Sequence, residues 1–311
     1  MRSTTRPRTA PGAGPLALLL LLTACSASGP PDPSEAPGGT TPVPIASTTP
    51  VGPTPSPAWW VPEAGTSWQW QLSGPLDLSL DVAVYDVDRE VPATVVEQLH
   101  ERGIRVVCYV SVGTVEDYRD DAAAFPPEVR GEPLPEWPDE RWLDVRRWDL
   151  VGPPLLRRFD ECRDKGFDAV EADNVDAWVN DSGFDLTAED QLRFVRRLAD
   201  AAHERGLAFG LKNDLDQVTD LVDDVDFAVV EECARYDECD RLAPLVAAGK
   251  AVLHVEYRDG DDRLDDEEFC RLTDPAADPV FTGISSLLKN LDLDAARTTC
   301  PGRAGAGRPG G

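Results

Sequence analysis

Lysine is nearly missing from this chain of 311 residues, occurring only at Lys165, Lys212, Lys250 and Lys289. Basic residues number 30 against 57 acidic ones, and the formal charge is -27. Such a chain lacks the basic footprint that phosphate backbones require, which excludes nucleic acid as a partner. A cationic substrate, by contrast, would be drawn in. Histidine is also scarce. His100 and His203 fall in helical stretches and only His254 falls in a strand, so no histidine-rich metal site is expected. No G-x-G-x-x-G or Walker pattern follows a strand, and no G-x-S-x-G elbow occurs, which argues against nucleotide binding and against an α/β-hydrolase triad. The stretch "DNVDAWVNDSG" resembles a calcium loop but lacks the EF-hand glycine and terminal glutamate. Neither a metal nor a cofactor is therefore expected.

Three arginines in the first eight residues precede an apolar run, Leu16 to Leu22, and the tetrapeptide "LTAC" ending at Cys25. The run is too short to span a membrane and reads as an export signal. "LTAC" resembles the lipobox of bacterial lipoproteins, in which the cysteine becomes the lipidated first residue. Residues 1–25 are accordingly expected to be a lipoprotein signal peptide, and the protein to be exported, lipid-anchored at the outer face of the cell membrane or secreted. Setting Cys25 aside leaves six cysteines, an even number that suits disulfides in an oxidising compartment. Closeness in sequence favours Cys233 with Cys239. Cys108 with Cys162 and Cys270 with Cys300 are assigned only by elimination. Residues 26–62 are Pro, Ser, Thr and Gly with almost no large apolar side chain, so they are expected to form a disordered tether. Residues 301–311 are expected to be a disordered tail, leaving one folded domain over 63–300.

Within that domain, short β-rich runs alternate with amphipathic helical stretches such as "PATVVEQLHERG" and "AEDQLRFVRRLADAAHERG". The runs are "DVAVYDVD", "RVVCYVSVG", "RWLDV", "FDAVEAD", "LAFGLKND", "DFAVVEEC", "AVLHVEY" and "FTGISSLL". Eight strands alternating with helices predict a (β/α)8 barrel of TIM type, with "WQWQLSG" as an extra short element before the first strand.

Catalytic groups of such a barrel sit where strands meet the loops that follow them. Those ends carry Asp86 and Asp88; Tyr109, Ser111 and Gly113; Asp144; Glu171, Asp173 and Asn174; Lys212, Asn213 and Asp214; Glu231 and Glu232; Glu256 and Tyr257; Lys289 and Asn290. Strand ends adjoin polar loops, so one such residue means little, but carboxylates closing apolar runs like "FDAV" and "DFAVV" point to function. Alternation puts Glu171 and Asp173 on one face, and allows only one of Glu231 and Glu232 into the barrel mouth. Two of the four lysines, Lys212 and Lys289, also stand at strand ends, and Lys212 is placed to orient a carboxylate or a substrate hydroxyl. Paired carboxylates at an aromatic-lined mouth are what glycosidic cleavage needs. Trp68, Trp70, Tyr85, Tyr109, Trp137, Trp142, Trp178 and Tyr257 supply rings that could stack on sugars.

From about Trp68 to Tyr257 the chain resembles glycoside hydrolase family 114, the endo-α-1,4-polygalactosaminidase-like proteins. The resemblance rests on "WQWQLSG", "YDVD", "VVCYVSVGTVEDYRDD", "ERWLDV", "GFDAVEADNVDAW", "AHERGLAFGLKND", "FAVVEECARYDEC" and "GKAVLHVEY", in that order. It implies a barrel that cleaves α-1,4 links in polymers rich in galactosamine or N-acetylgalactosamine, with retention. It also implies Asp173 in "EADN" as nucleophile and Glu231 in "VVEEC" as general acid/base. Expected substrate contacts come from Trp70, Asp86, Tyr109, Glu171, Asn174, Lys212, Asn213, Glu256 and Tyr257. The competing expectation is a non-catalytic carbohydrate-binding lipoprotein on the same barrel.

Overall fold

Strands whose alternate residues are apolar can close on themselves, and this chain uses that periodicity. The computed structural model describes residues 58–260 and 263–300, so Cys25, the expected signal peptide, most of the tether and the tail lie outside the described residues. The strands are β1 (Trp68–Gln71), β2 (Val84–Asp88), β3 (Arg105–Ser111), β4 (Thr114–Glu116), β5 (Arg130–Pro133), β6 (Glu140–Leu143), β7 (Ala169–Asp173), β8 (Ala208–Lys212), β9 (Phe227–Glu231), β10 (Ala251–Tyr257), β11 (Ile284–Lys289) and β12 (Arg297–Thr298). The helices are α1 (Ala93–Glu101), α2 (Trp148–Lys165), α3 (Ala188–His203), α4 (Val218–Leu221), α5 (Ala243–Ala247) and α6 (Asp266–Leu272). Eight strands pair in parallel in the order β1-β2-β3-β7-β8-β9-β10-β11, with β12 antiparallel on β11, and this nearly closed sheet is the expected barrel. Among the described residues, no helix is long and apolar enough to cross a membrane.

Alternation splits the core in two. Trp68, Trp70, Val84, Val107, Ala169, Phe227, Val229, Leu253 and Val255 pack inside the barrel. Their sequence neighbours, such as Tyr85, Val106, Cys108, Val170, Phe209 and Val230, pack outward against helix residues including Phe159, Phe194 and Leu198.

The count of eight holds, but two memberships differ from expectation. "WQWQ" is the first barrel strand, pairing in parallel with β2. Its tryptophans fill the interior, while the buried Gln69 and Gln71 amides donate to Ala295 O (3.0 Å), Ser73 O (3.0 Å) and Pro75 O (2.9 Å). "RWLDV" is no barrel strand: β6 pairs antiparallel with β4 and β5 in a separate three-stranded sheet. A parallel crossover needs about a dozen residues, usually as a helix. Between β3 and β6 the chain forms only β4, β5 and two single 3-10 turns, Ala122–Ala124 and Pro127–Val129. The helix α2 that completes the crossover comes after β6, not before it.

At the opposite end of the barrel, Asp168 accepts from the Val106 amide (2.8 Å) and faces His100 Nε2 (2.8 Å). Asp226 accepts from the Phe209 amide (2.8 Å) and faces His203 Nε2 (2.7 Å). Trp59 stacks on His203 with ring centroids 4.1 Å apart, and Trp60 lies under Arg105. Composition assigned both tryptophans to the tether, but they pack on the barrel, so the folded domain begins before residue 63. Three disulfides join Cys108 to Cys162, Cys233 to Cys239 and Cys270 to Cys300, and the first ties β3 to α2.

One buried cation fixes the small sheet to the barrel. Arg158 of α2, 1% exposed, forks onto both oxygens of Asp121 (2.7 and 2.8 Å) and donates to Ser111 O (2.8 Å) at the end of β3. Glu116, also buried, lies 3.5 Å away. Replacing Arg158 by Met leaves Asp121 with only Arg89 (3.3 Å) and Glu116 with only Arg119 (2.9 Å), a loss of roughly 1.5–3 kcal/mol in hydrogen bonds to charged groups. Denaturant unfolding of Arg158→Met should show that loss, and an unchanged midpoint would refute this role for Arg158.

Candidate active site

The C-terminal ends of β3, β7, β8, β9 and β10 converge on one ammonium group. Lys212 is fully enclosed and sits 3.1 Å from Asp173 Oδ1 and 2.6 Å from Glu231 Oε2. Its nitrogen also lies 5.3 Å from the centre of the Trp70 ring. Tyr109 donates to Asp173 Oδ2 (2.7 Å) and the Asn174 amide donates to Asp173 Oδ1 (2.9 Å). Tyr257 donates to Glu231 Oε1, and Asn213 Nδ2 to Glu231 Oε2 (3.2 Å). Each carboxylate therefore has one phenol, one amide donor and a share of the same ammonium.

The electrostatics follow from burial and proximity. Burial alone would raise the Glu231 carboxyl, but the Lys212 charge and the donors on its oxygens hold it well below the ordinary carboxylate range. Burial likewise would discharge Lys212, and the Asp173 and Glu231 charges more than offset this, so its pKa is raised and it stays an ammonium. Burial first, and then the carboxylate each one touches, push both Tyr109 and Tyr257 well above the usual phenol range. They are fixed donors at any working pH.

Alternation resolves the twin glutamates. Glu231 shares the inward face of Phe227 and Val229, whereas Glu232, at φ 57°, turns the chain out of the strand while its amide donates to Val255 O (2.8 Å). Another close approach supports Asp173: a Cβ on Gly113 would sit 1.5 Å from the carbonyl oxygen of Asn174, itself at φ 64°. Only glycine lets the β3 loop touch the turn that follows Asp173.

Several expected substrate contacts lie elsewhere. Asp86 and Glu171 are 0% exposed and point into the barrel beneath the cleft, because Glu171 precedes Asp173 by two residues and lies roughly 7 Å deeper. No other residue hydrogen-bonds their four oxygens. Burial, and for Glu171 next the Asp86 charge, push both well above the carboxylate range. Asn174 is buried behind Asp173, donating to Ser111 Oγ (2.9 Å). Glu256 neighbours the inward-facing Tyr257 and so points outward, accepting from the Ala234 and Arg235 amides (2.9 and 3.2 Å). It braces the loop after Glu231 and does not reach the cleft. Asn213 holds Glu231 without lining the cavity. Asp144 ends the separate sheet and pairs with Arg146 (2.8 Å). Cys233, Cys239 and His254 cluster, but the two cysteines form a disulfide and offer no thiolate.

Asp173, Lys212, Glu231, Tyr109, Tyr257 and Trp70 form the base of a cavity of about 550 Å³. Of its walls, sequence reading singles out Asp88 at a strand end and Trp137 as a ring for sugar stacking, and misses the rest. The segment between β3 and α2 supplies Tyr118 (63% exposed), Trp137 (43% exposed), Arg119 and Glu140, and the loop after β11 supplies Leu291 and Asp292. Asp88 and Glu90 add two more carboxylates. Arg119 is committed to Asp88 (2.6 Å) and Glu116 (2.9 Å), and Lys212 to the pair below, so the cleft presents a surplus of negative charge. The available signal was "ERWL": once it is released from the barrel count, its glutamate falls on the cleft wall.

Burial, then the Glu116 charge, raise Glu140 to about 7. Its folded-state pKa exceeds its unfolded one, so the folded form binds the extra proton and stability is lost as pH rises from about 4.5 through 7, by up to roughly 3 kcal/mol. Glu140→Gln should abolish that part of the pH dependence of unfolding, and parallel wild-type and variant curves would contradict it. Gly113→Ala should lower kcat at least ~10-fold by displacing the Asp173 turn, since a misplacement of ~1 Å can cost ~100-fold. Unchanged kinetics would show that the contact is dispensable.

The family model for glycoside-hydrolase family GH114 matches residues 50–305. The crystal structure of Aspergillus fumigatus Ega3 in complex with galactosamine is similar to this chain at 36% identity, with a TM-score of 0.73, over 78% of this chain and 97% of that one. The glycoside hydrolase domain of PelA from Pseudomonas aeruginosa shares the fold at 17% identity and a TM-score of 0.57, over 75% and 97% of the two chains. Comparison with curated proteins gave no match. With a family model spanning most of the chain and a relative of this identity across the whole barrel, the protein is a glycoside hydrolase and belongs to family GH114.

Proposed function

We propose that this enzyme is exported and cleaves α-1,4 linkages in polysaccharides containing galactosamine or N-acetylgalactosamine, with retention of configuration. The observation that carries the reading is the pair of carboxylates bracketing Lys212. Oxygens at 3.1 and 2.6 Å from one nitrogen are less than about 6 Å apart. Retaining glycosidases hold their carboxyls ~5–5.5 Å apart, and inverting ones ~6.5–9.5 Å apart to admit a water.

Asp173 is the nucleophile. The Tyr109 phenol and the Asn174 amide fix its oxygens, and a phenol held neutral does not compete for the negative charge. Its carboxylate attacks the anomeric carbon as the glycosidic bond breaks, and Glu231 protonates the departing oxygen. Glu231 then takes a proton from the water that releases the glycosyl ester. In the empty cleft Lys212 keeps Glu231 ionised. A sugar that separates the two removes the charge that holds the proton off, and burial then favours the protonated acid. Lys212 remains beside Asp173 through both half-reactions.

The surplus of carboxylates on the cleft walls suits a substrate with free amino groups, which are cationic near neutral pH. The galactosamine in the Ega3 complex supports the same sugar class here. Trp137 and Tyr118 offer exposed rings for stacking at the cleft wall. The signal-like N-terminus, the "LTAC" resemblance ending at Cys25 and the disulfides support export with a lipid anchor on the outer face of the membrane.

Glu231→Gln and Asp173→Asn should each lower hydrolysis of partially deacetylated α-1,4-galactosaminan by ~10²–10⁴-fold. A wild-type rate in either variant would refute the assignment. Proton NMR of fresh products should show the α-anomer first; an initial β-anomer would mean inversion. KM for the deacetylated polymer should rise with salt as the cleft's field is screened, and a salt-independent KM would remove the electrostatic part of the reading.

A further inference from the structure

The barrel is not hydrogen-bonded into a full circle, and the open seam lies between β11 and β1. β12 covers the C-terminal part of that seam by pairing with Leu288 and Lys289. Along the N-terminal part, the strands are bridged by Trp68 Nε1 donating to Ser285 O (2.9 Å) and Gly65 N donating to Gly283 O (2.8 Å). Among the described residues, no helix lies between β1 and β2 or between β11 and β12. A cavity of about 800 Å³ occupies the gap, a size within the ~300–1,000 Å³ range of small-molecule sites. It shares no lining residue with the catalytic cleft.

Two polar groups in this cavity lack partners. Arg297 is half-buried, and its guanidinium makes no hydrogen bond or ion pair with any described residue. Arg157, Arg197 and Arg263 make none either but stand exposed to water, whereas the buried Arg89, Arg119 and Arg158 are all held by carboxylates. Asp81 stands exposed at the rim of the same cavity and does not pair with it. Burial lowers the Arg297 pKa, and no carboxylate compensates. The second group is Ser285 Oγ, which is buried and without a hydrogen-bond partner. A desolvated cation and a desolvated hydroxyl each cost free energy unless something pairs with them. The rest of the lining includes Val82, Phe281 and Ile284, which are apolar.

We propose that this seam cavity binds a small organic anion, whose carboxylate or phosphate pairs with Arg297 and accepts a hydrogen bond from Ser285 Oγ while its body lies against Val82, Phe281 and Ile284. An arginine suits this task because its planar fork matches both acid groups. The site is independent of which glycan the cleft takes.

Calorimetric titration of the full chain with galacturonate, glycerol 3-phosphate and inorganic phosphate tests the proposal. Wild type should bind at least one organic probe, and Arg297→Gln should weaken it at least 10-fold while polysaccharide hydrolysis stays unchanged. Ser285→Ala should weaken it ~3–10-fold, the cost of one hydrogen bond to a charged group. Preference for galacturonate would identify a carboxylate ligand, and preference for glycerol 3-phosphate a phosphate ester. Binding of none of the three, binding of inorganic phosphate alone, or equal binding by wild type and Arg297→Gln would overturn the proposal. Matching thermal unfolding of wild type and both variants guards against a loss caused by misfolding.

Discussion

One buried ammonium shared by two carboxylates is the constraint around which the cleft is organised. Three charges brought out of water are tolerable only if they neutralise one another closely, and Lys212 lies within 3.1 Å of both partners. The position is set by alternation: Asp173, Lys212 and Glu231 each end a barrel strand on its inward face. The neighbours serve the same arrangement, since Tyr109 and Tyr257 donate to the two carboxylates, and burial pushes Asp86 and Glu171 beneath the cleft well above the carboxylate range.

The barrel is unequal around its circumference, and function follows that inequality. Between β3 and α2 the chain builds a small antiparallel sheet, which Arg158 ties back to β3 and which raises one wall of the cleft. Between β1 and β2, and between β11 and β12, the described residues form no helix, and the seam between β11 and β1 stays open. A regular barrel would have neither the aromatic wall nor the second cavity. Both features come from segments that break the strand–helix alternation on which the fold rests.

Much of this was legible in the sequence because period two is a strong signal. The strand ends carrying Asp173, Lys212 and Glu231, and the rule that only one of Glu231 and Glu232 faces inward, follow from it; strand–helix alternation gave the barrel, and the family resemblance pointed to Glu231. The same rule, applied to "VEY", would have turned Glu256 outward beside Tyr257. What stayed hidden depended on tertiary placement. "RWLDV" has the composition of a barrel strand, and only the lack of a helix before it shows that it is not one. "WQWQ" reads as an extra element only because eight other runs already fill the barrel count, although its alternation is complete. Glu140 opens a strand of the separate sheet and Asp292 lies in a loop, so neither has a place in the barrel's periodicity. Depth was also unreadable: Glu171 and Asp173 share a face, yet only Asp173 meets the cavity.

The central claim is that Lys212 governs the protonation of Glu231. Carbon-13 NMR titration of the Glu231 carboxyl in wild type and in Lys212→Met tests it most directly. The wild-type signal should stay that of a carboxylate well below the ordinary glutamate range, and in Lys212→Met it should move up into or above that range, as burial is then opposed mainly by the Tyr257 and Asn213 donors. The same titration in both proteins would contradict the account.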